Sequence, residues 1–92
     1  MTNDQIIEAV NNKFQIDIKL KISTDQYTFA RMVFYVLARK LIKFQTADAI
    51  VKELNINKSC PYNGIKRFDQ LYDQPVFSRH KKGYLELLEE LK

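Results

Sequence analysis

At 92 residues and 46% hydrophobic content the chain can fill one domain with a modest core, and it leaves no room for a deep catalytic cleft on a separate scaffold. No apolar run approaches the roughly 20 residues of a membrane helix, no signal-peptide pattern leads the sequence, and a single cysteine excludes an internal disulfide, which fits a reducing, cytoplasmic setting. The net charge is only +4, but Arg39, Lys40, Lys43, Lys52, Lys58, Lys66 and Arg67 crowd one stretch against Asp48 and Glu53, a placement that favours a polyanion partner.

Thr2-Asn3-Asp4-Gln5 has the spacing of a capping box, and Ile6, Ile7, Val10 and Phe14 continue it as a helix of about three turns. Residues 16–22, IDIKLKI, alternate apolar and polar at period two, which taken alone spells a strand. No second strand-like run exists to pair with it. The segment therefore reads as an extended connector whose isoleucines staple the first helix to the core, or else as an edge strand that pairs with a second copy of the chain. Ser23-Thr24-Asp25-Gln26 is a second capping box, opening the longest helix from about Asp25 to Lys43. Phe29, Val33, Val36, Leu37 and Leu41 give that helix its apolar stripe, widened by Ala30, Met32, Phe34 and Ala38, so it reads as the central post of a bundle. Its polar stripe is Arg31, Tyr35, Arg39 and Lys43, four residues apart.

The most informative stretch is 44–73. Ala47, Ile50, Val51 and Leu54 line one face of a helix capped by Thr46, Asn55–Lys58 make a turn, and Tyr62, Ile65, Phe68 and Leu71 line a second helix. Ser59 or Cys60 can cap that second helix, with Pro61 in its first turn, where a missing N–H costs nothing. Gly64 sits inside it despite a penalty of about 1 kcal/mol relative to Ala, which points to close packing between the two helices of the pair. Asp73 and Pro75 end the segment. A last amphipathic helix at about 82–92 carries Tyr84, Leu87, Leu88 and Leu91 on one face.

Asn63, Lys66, Arg67 and Gln70 fall on the outer side of the second helix, the arrangement that a helix lying in a DNA major groove requires. Asn57, Lys58, Ser59, Cys60 and Asn63, at its start, are the base-reading candidates, since Asn can read adenine and Lys can read guanine. Lys66 and Arg67 lie further along and suit phosphates. Arg31, Arg39 and Lys43 on the long helix, with Lys19 and Lys21 in the connector, complete the phosphate candidates. A helix–turn–helix is also a generic way to pack two helices, and surface cations are commonly just solvated.

Catalytic chemistry has little to stand on. Cys60 has no histidine near it in sequence and reads as a small packing residue. His80 lies in the basic run Arg79-His80-Lys81-Lys82 and reads as surface. One Cys and one His cannot build a structural zinc site, and Glu86, Glu89 and Glu90 read as a solvated helix face. No enzyme, metal or cofactor is expected.

Several local strings resemble the C-terminal DNA-binding domain of the bacterial replication initiator DnaA. "IIEAVNNKFQIDI" is similar to that domain's first helix and aliphatic connector, "FARMVFYVLARKL" to its long helix, "TADAIVKELNI" to the first helix of its helix–turn–helix, and "NKSCPYNGIKRF" falls where its signature lies. The likeness covers roughly residues 4 to 72. It implies phosphate roles for Arg31, Arg39, Lys66 and Arg67 and a base-reading role for Ser59. Asn57 and Lys58 stand in place of the signature Asp and His, Cys60 in place of Thr, and Pro61 in place of Val, so the family's cognate sequence is not expected for this chain. The initiator's ATPase module does not fit in 92 residues, which implies a stand-alone relative, encoded by a phage, a mobile element or a bacterium.

The expectation is thus a single all-α domain over 1–92, a bundle of about five helices like DnaA domain IV or the tryptophan repressor, with a helix–turn–helix at about 46–72. The expected function is double-stranded DNA binding in replication or transcription control, with the C-terminal helix available to a protein partner and no membrane or small-molecule substrate involved. The alternative is a protein–protein adaptor or inhibitor that keeps the fold without binding DNA.

Overall fold

The computed structural model describes residues 2–20, 22, 24–42 and 59–91, with backbone alone at 59–61. Among the described residues the elements are α1 (Asn3–Phe14), α2 (Asp25–Leu41), α3 (Ser59–Leu71), a 3-10 turn (Pro75–Phe77) and α4 (Ser78–Leu91), with no strand. The all-α expectation holds. The helix expected from Thr46 to Leu54 and the turn Asn55–Lys58 lie outside the described residues, as do Lys21, Ser23 and Lys43.

Helix α1 begins with the box its sequence spells. The Thr2 hydroxyl accepts from the Gln5 amide at 3.3 Å, and the Thr2 amide donates to Gln5 Oε1 at 2.8 Å, so two otherwise orphaned donors are satisfied reciprocally. It ends at Gln15, held in the left-handed region at φ 56°, with the Ile16 amide returning to the Asn11 carbonyl at 3.1 Å.

The connector that follows is a turn, held from both sides. The Ile18 amide donates to Asn11 Oδ1 at 2.9 Å, and the Leu20 amide donates to the Asp17 carbonyl at 3.1 Å. From α2, Arg31 donates through Nε to the Ile18 carbonyl at 3.0 Å, through Nη1 to the Ile22 carbonyl at 2.9 Å, and through Nη2 to the Leu20 carbonyl. Three acceptors at alternate residues thus face one guanidinium rather than a neighbouring strand, which explains how a period-two pattern exists without a sheet. Stapling is done by Ile18, fully buried, with help from half-buried Ile16, whereas Leu20 and Ile22 stay exposed.

Helix α2 starts at Asp25, where the sequence placed it. Its N-cap is Thr24, whose side chain makes no capping bond. Phe29, Ala30 and the unbroken run Met32–Ala38 are all buried, so α2 is the central post. Side chains of this kind contribute about 1.5–3 kcal/mol each on burial. Tyr35, expected on the polar stripe, is in the core. The reason is Gly64. A Cβ there would stand 2.4 Å from Tyr35 Cδ2, so α3 approaches α2 closely enough to cover that ring. The close approach expected of Gly64 is therefore real, and its partner is the long helix.

Helix α4 starts at Ser78, four residues ahead of the expected Lys82, because the 3-10 turn at Pro75 leads directly into it. Tyr84 and Leu87 are buried, with Leu88 and Leu91 packed against the same cluster, so the helix closes the core. Gly83 repeats the device of Gly64 against α1, its position lying 2.6 Å from the Phe14 ring when given a Cβ. Lys13 of α1 reaches across to Glu86 at 3.0 Å and Glu90 at 3.3 Å; both acids stay exposed, as expected of a solvated face, and the pairs bridge α1 and α4 at the surface. Those hydrogen bonds, Glu86 first, hold the Lys13 ammonium above its ordinary pKa.

Candidate nucleic-acid interface

The roll of α3 about its own axis decides which side chains it offers. Gly64 and Phe68, one turn apart, are buried, and Ile65, Leu71 and Tyr72 are half-buried beside them. Phe68 sits in a cluster of rings, 4.9 Å from Tyr84, 5.3 Å from Phe77 and 5.6 Å from Tyr72 between centroids. With that stripe inward, Asn63, Lys66, Arg67 and Gln70 are exposed on the opposite arc, where the sequence pattern put them.

Lys66 and Arg67 have no ion-pair partner among the described residues. The acid that shares this arc is Asp69, exposed, while Asp73 beyond the helix end is engaged by Lys81 at 3.4 Å. Neither cation lies beneath α4, which packs on α1 and α2 and meets α3 through the Phe68–Tyr84 contact.

Tyr62 departs from expectation. Placed on the apolar face by its spacing with Ile65, Phe68 and Leu71, it is 62% exposed. A three-residue spacing drifts around a helix of 3.6 residues per turn, and the contact at Gly64 fixes the roll so that the drift carries position 62 outward. Treating Gly64 as the point of helix contact would have revealed this from sequence.

The remaining candidates are scattered. On α2, Arg39 is exposed one turn beyond Tyr35 and has no ion-pair partner among the described residues. Its neighbour Lys40 lies 5.8 Å from the Tyr84 ring centroid, over α4. Arg31 turns its guanidinium to the connector, with Nε, Nη1 and Nη2 all donating there. Lys19 is exposed, with Nζ 4.0 Å from Asp4 Oδ1. Asn57, Lys58, Lys21 and Lys43, and the side chains of Ser59 and Cys60, lie outside the described residues.

His80 is the second departure. Expected at the surface, it is 6% exposed. Its ring stacks on Phe14 at 4.9 Å and on Phe77 at 5.8 Å, and meets Phe29 edge-on at 5.3 Å. Neither ring nitrogen has a hydrogen-bond partner among the described residues. Burial pushes its pKa down, the positive charge of Arg79 adds to this, and the nearby Gln26 backbone opposes it without closing a hydrogen bond. The Ser78 start brings residue 80 into the first turn of α4, on the face that also carries Gly83, Tyr84 and Leu87.

Among the described residues no three His, Cys, Asp or Glu side chains come together as a metal site. No described helix is long and apolar enough to cross a membrane. No family model, no curated protein and no solved structure matches this chain.

Proposed function

We propose that this chain binds double-stranded DNA, with the outer face of α3 in the major groove. The observation that carries the reading is the exposure of Lys66 and Arg67, without an ion-pair partner among the described residues, on one arc with Asn63 and Gln70, opposite the Gly64–Phe68 stripe that anchors the helix. Cations free of internal partners are available to phosphates, and an amide beside them is available to a base edge. Arg39, one turn past the α2–α3 crossing, adds a flanking phosphate contact, and Lys19 and Lys43 extend it. The resemblance to the initiator's DNA-binding domain supports the same use of α3, with residues 46–58 supplying the first helix and turn of a helix–turn–helix and Asn57, Lys58, Ser59 and Cys60 entering the groove beside Asn63. On this reading the chain acts in bacterial cytoplasm, in replication or transcription control of a phage, a mobile element or the host.

One observation favours a protein–protein adaptor instead: Tyr62 leaves a large ring exposed beside the cations. Fluorescence anisotropy with a duplex at increasing salt separates the two. Binding that weakens with a log–log slope of about −4 to −7, as expected if roughly five to eight phosphates are neutralised, supports DNA. Lys66→Ala then weakens all duplexes alike, whereas Asn63→Ala changes the sequence preference. No binding at low salt would leave the adaptor.

A further inference from the structure

We propose that the outer face of α4 is the interface of a twofold homodimer, in which two copies of the helix pair antiparallel. This interface does not depend on the duplex-DNA reading, and it lies beyond the stretch that resembles the initiator's domain.

Helix α4 turns His80, Gly83, Tyr84 and Leu87 inward, and its opposite arc carries Arg79, Lys82, Leu85, Glu86, Glu89 and Glu90, all exposed. On that arc charge is sorted by position. The bases precede Leu85 and the acids follow it. The order opposes the helix dipole, whose positive end is the N-terminus. The first turn holds no acid and the last turn no base. Spacing within the helix does not compensate. Lys82 stands four residues ahead of Glu86, the weaker orientation for such a pair, and neither Arg79 nor Lys82 has an ion-pair partner among the described residues. Lys13 reaches Glu86 and Glu90 from the α1 side, yet their side chains keep 45% and 60% exposure. A charge order that disfavours a lone helix becomes favourable beside an antiparallel copy, because each basic half then faces an acidic half and the two dipoles oppose.

A twofold axis at Leu85 sets the register. With Leu85, 43% exposed, against its counterpart, Lys82 comes level with Glu89 of the second copy and Arg79 with Glu90 of the second copy, and symmetry repeats both pairs. Lys82, Leu85 and Glu89 follow one another at steps of three and four, the spacing of the seam along which two helices pack. An apolar centre thus lies within a charged rim. A helix of 14 residues is about 21 Å long, so the interface is small and the dimer weak, with a Kd on the order of 100 µM. The dilute chain of a duplex titration is then monomeric, and Arg79 and Lys82 do not enter that measurement through dimerisation.

Sedimentation equilibrium of the intact chain at low salt, from about tenfold below that Kd to about tenfold above it, is expected to show monomer and dimer in exchange. Lys82→Glu and Glu89→Lys each convert both copies of one attractive pair into repulsive pairs, and each is expected to weaken association about tenfold. Mixing these two variants sets opposite charges against each other again, so the mixture is expected to form a heterodimer as strong as the wild-type dimer. Leu85→Ala is expected to weaken association about three- to tenfold. The three positions are exposed, so circular dichroism is expected to show wild-type helix content in every variant. A wild-type chain that stays monomeric throughout the range overturns the inference and leaves the face to an occupant other than a second copy. A dimer indifferent to Lys82→Glu places the contact on another surface and overturns it too. Variants that do not associate on mixing, where the wild type does, overturn the antiparallel pairing.

Discussion

Two basic stretches of similar appearance end in different places. Lys66 and Arg67 on α3 stand exposed, with no ion-pair partner among the described residues. In the run Arg79-His80-Lys81-Lys82 at the start of α4, His80 is buried among phenylalanine rings, and Lys81 pairs with Asp73 and lies 4.4 Å from the Tyr72 ring centroid. The α4 run has more basic residues, yet half of it is committed to the fold. What separates the two is the roll of each helix relative to the core, which a single small residue sets in both cases: Gly64 against Tyr35 for α3, and Gly83 against Phe14 for α4. Cationic composition alone does not make a binding surface; the phase of the helix that carries it does.

The comparison breaks most severely at Gly64. In Gly64→Val the new side chain must enter space where even a Cβ stands 2.4 Å from a buried ring. Overpacking of that kind costs about 3 kcal/mol and would tilt α3 away from α2. Urea unfolding is expected to show the loss. A variant as stable as the wild type would mean that α3 does not dock where the account places it.

A gentler probe sharpens the α4 side. His80 has its folded-state pKa lowered by burial, so the unfolded chain takes up its proton first as pH falls. The contribution of His80 is complete above its unfolded value of about 6.5 and is lost progressively below it. Urea midpoints are therefore expected to fall between pH 7.5 and pH 5.5 in the wild type and to fall less in His80→Phe, which keeps a ring in the stack. An equal acid loss in both proteins would place His80 outside the core.

Much of the architecture was legible in the sequence. The α1 capping box, the apolar stripe of α2 and the outward placement of Asn63, Lys66, Arg67 and Gln70 follow from spacing alone, because helix periodicity and capping are local. What was not legible depended on tertiary contact. Tyr62 shares the spacing of core residues but loses its place when Gly64 sets the roll. Tyr35 shares the spacing of a polar stripe but is covered by α3. His80 sits in a cationic string, and only the Ser78 start of α4 turns it inward. Arg31 looks like any surface cation until the connector folds its carbonyls back upon it.

The most direct test of the central claim compares charge removal from the two stretches on one duplex at about 0.1 M salt. Lys66→Ala with Arg67→Ala is expected to weaken binding on the order of 50- to 100-fold and to make the salt slope shallower by about two units, since each phosphate contact contributes about 0.9. Arg79→Ala with Lys82→Ala is expected to stay within about threefold, as charges remote from the contact are screened. Equal losses from both pairs, or no loss from the α3 pair, would contradict the account.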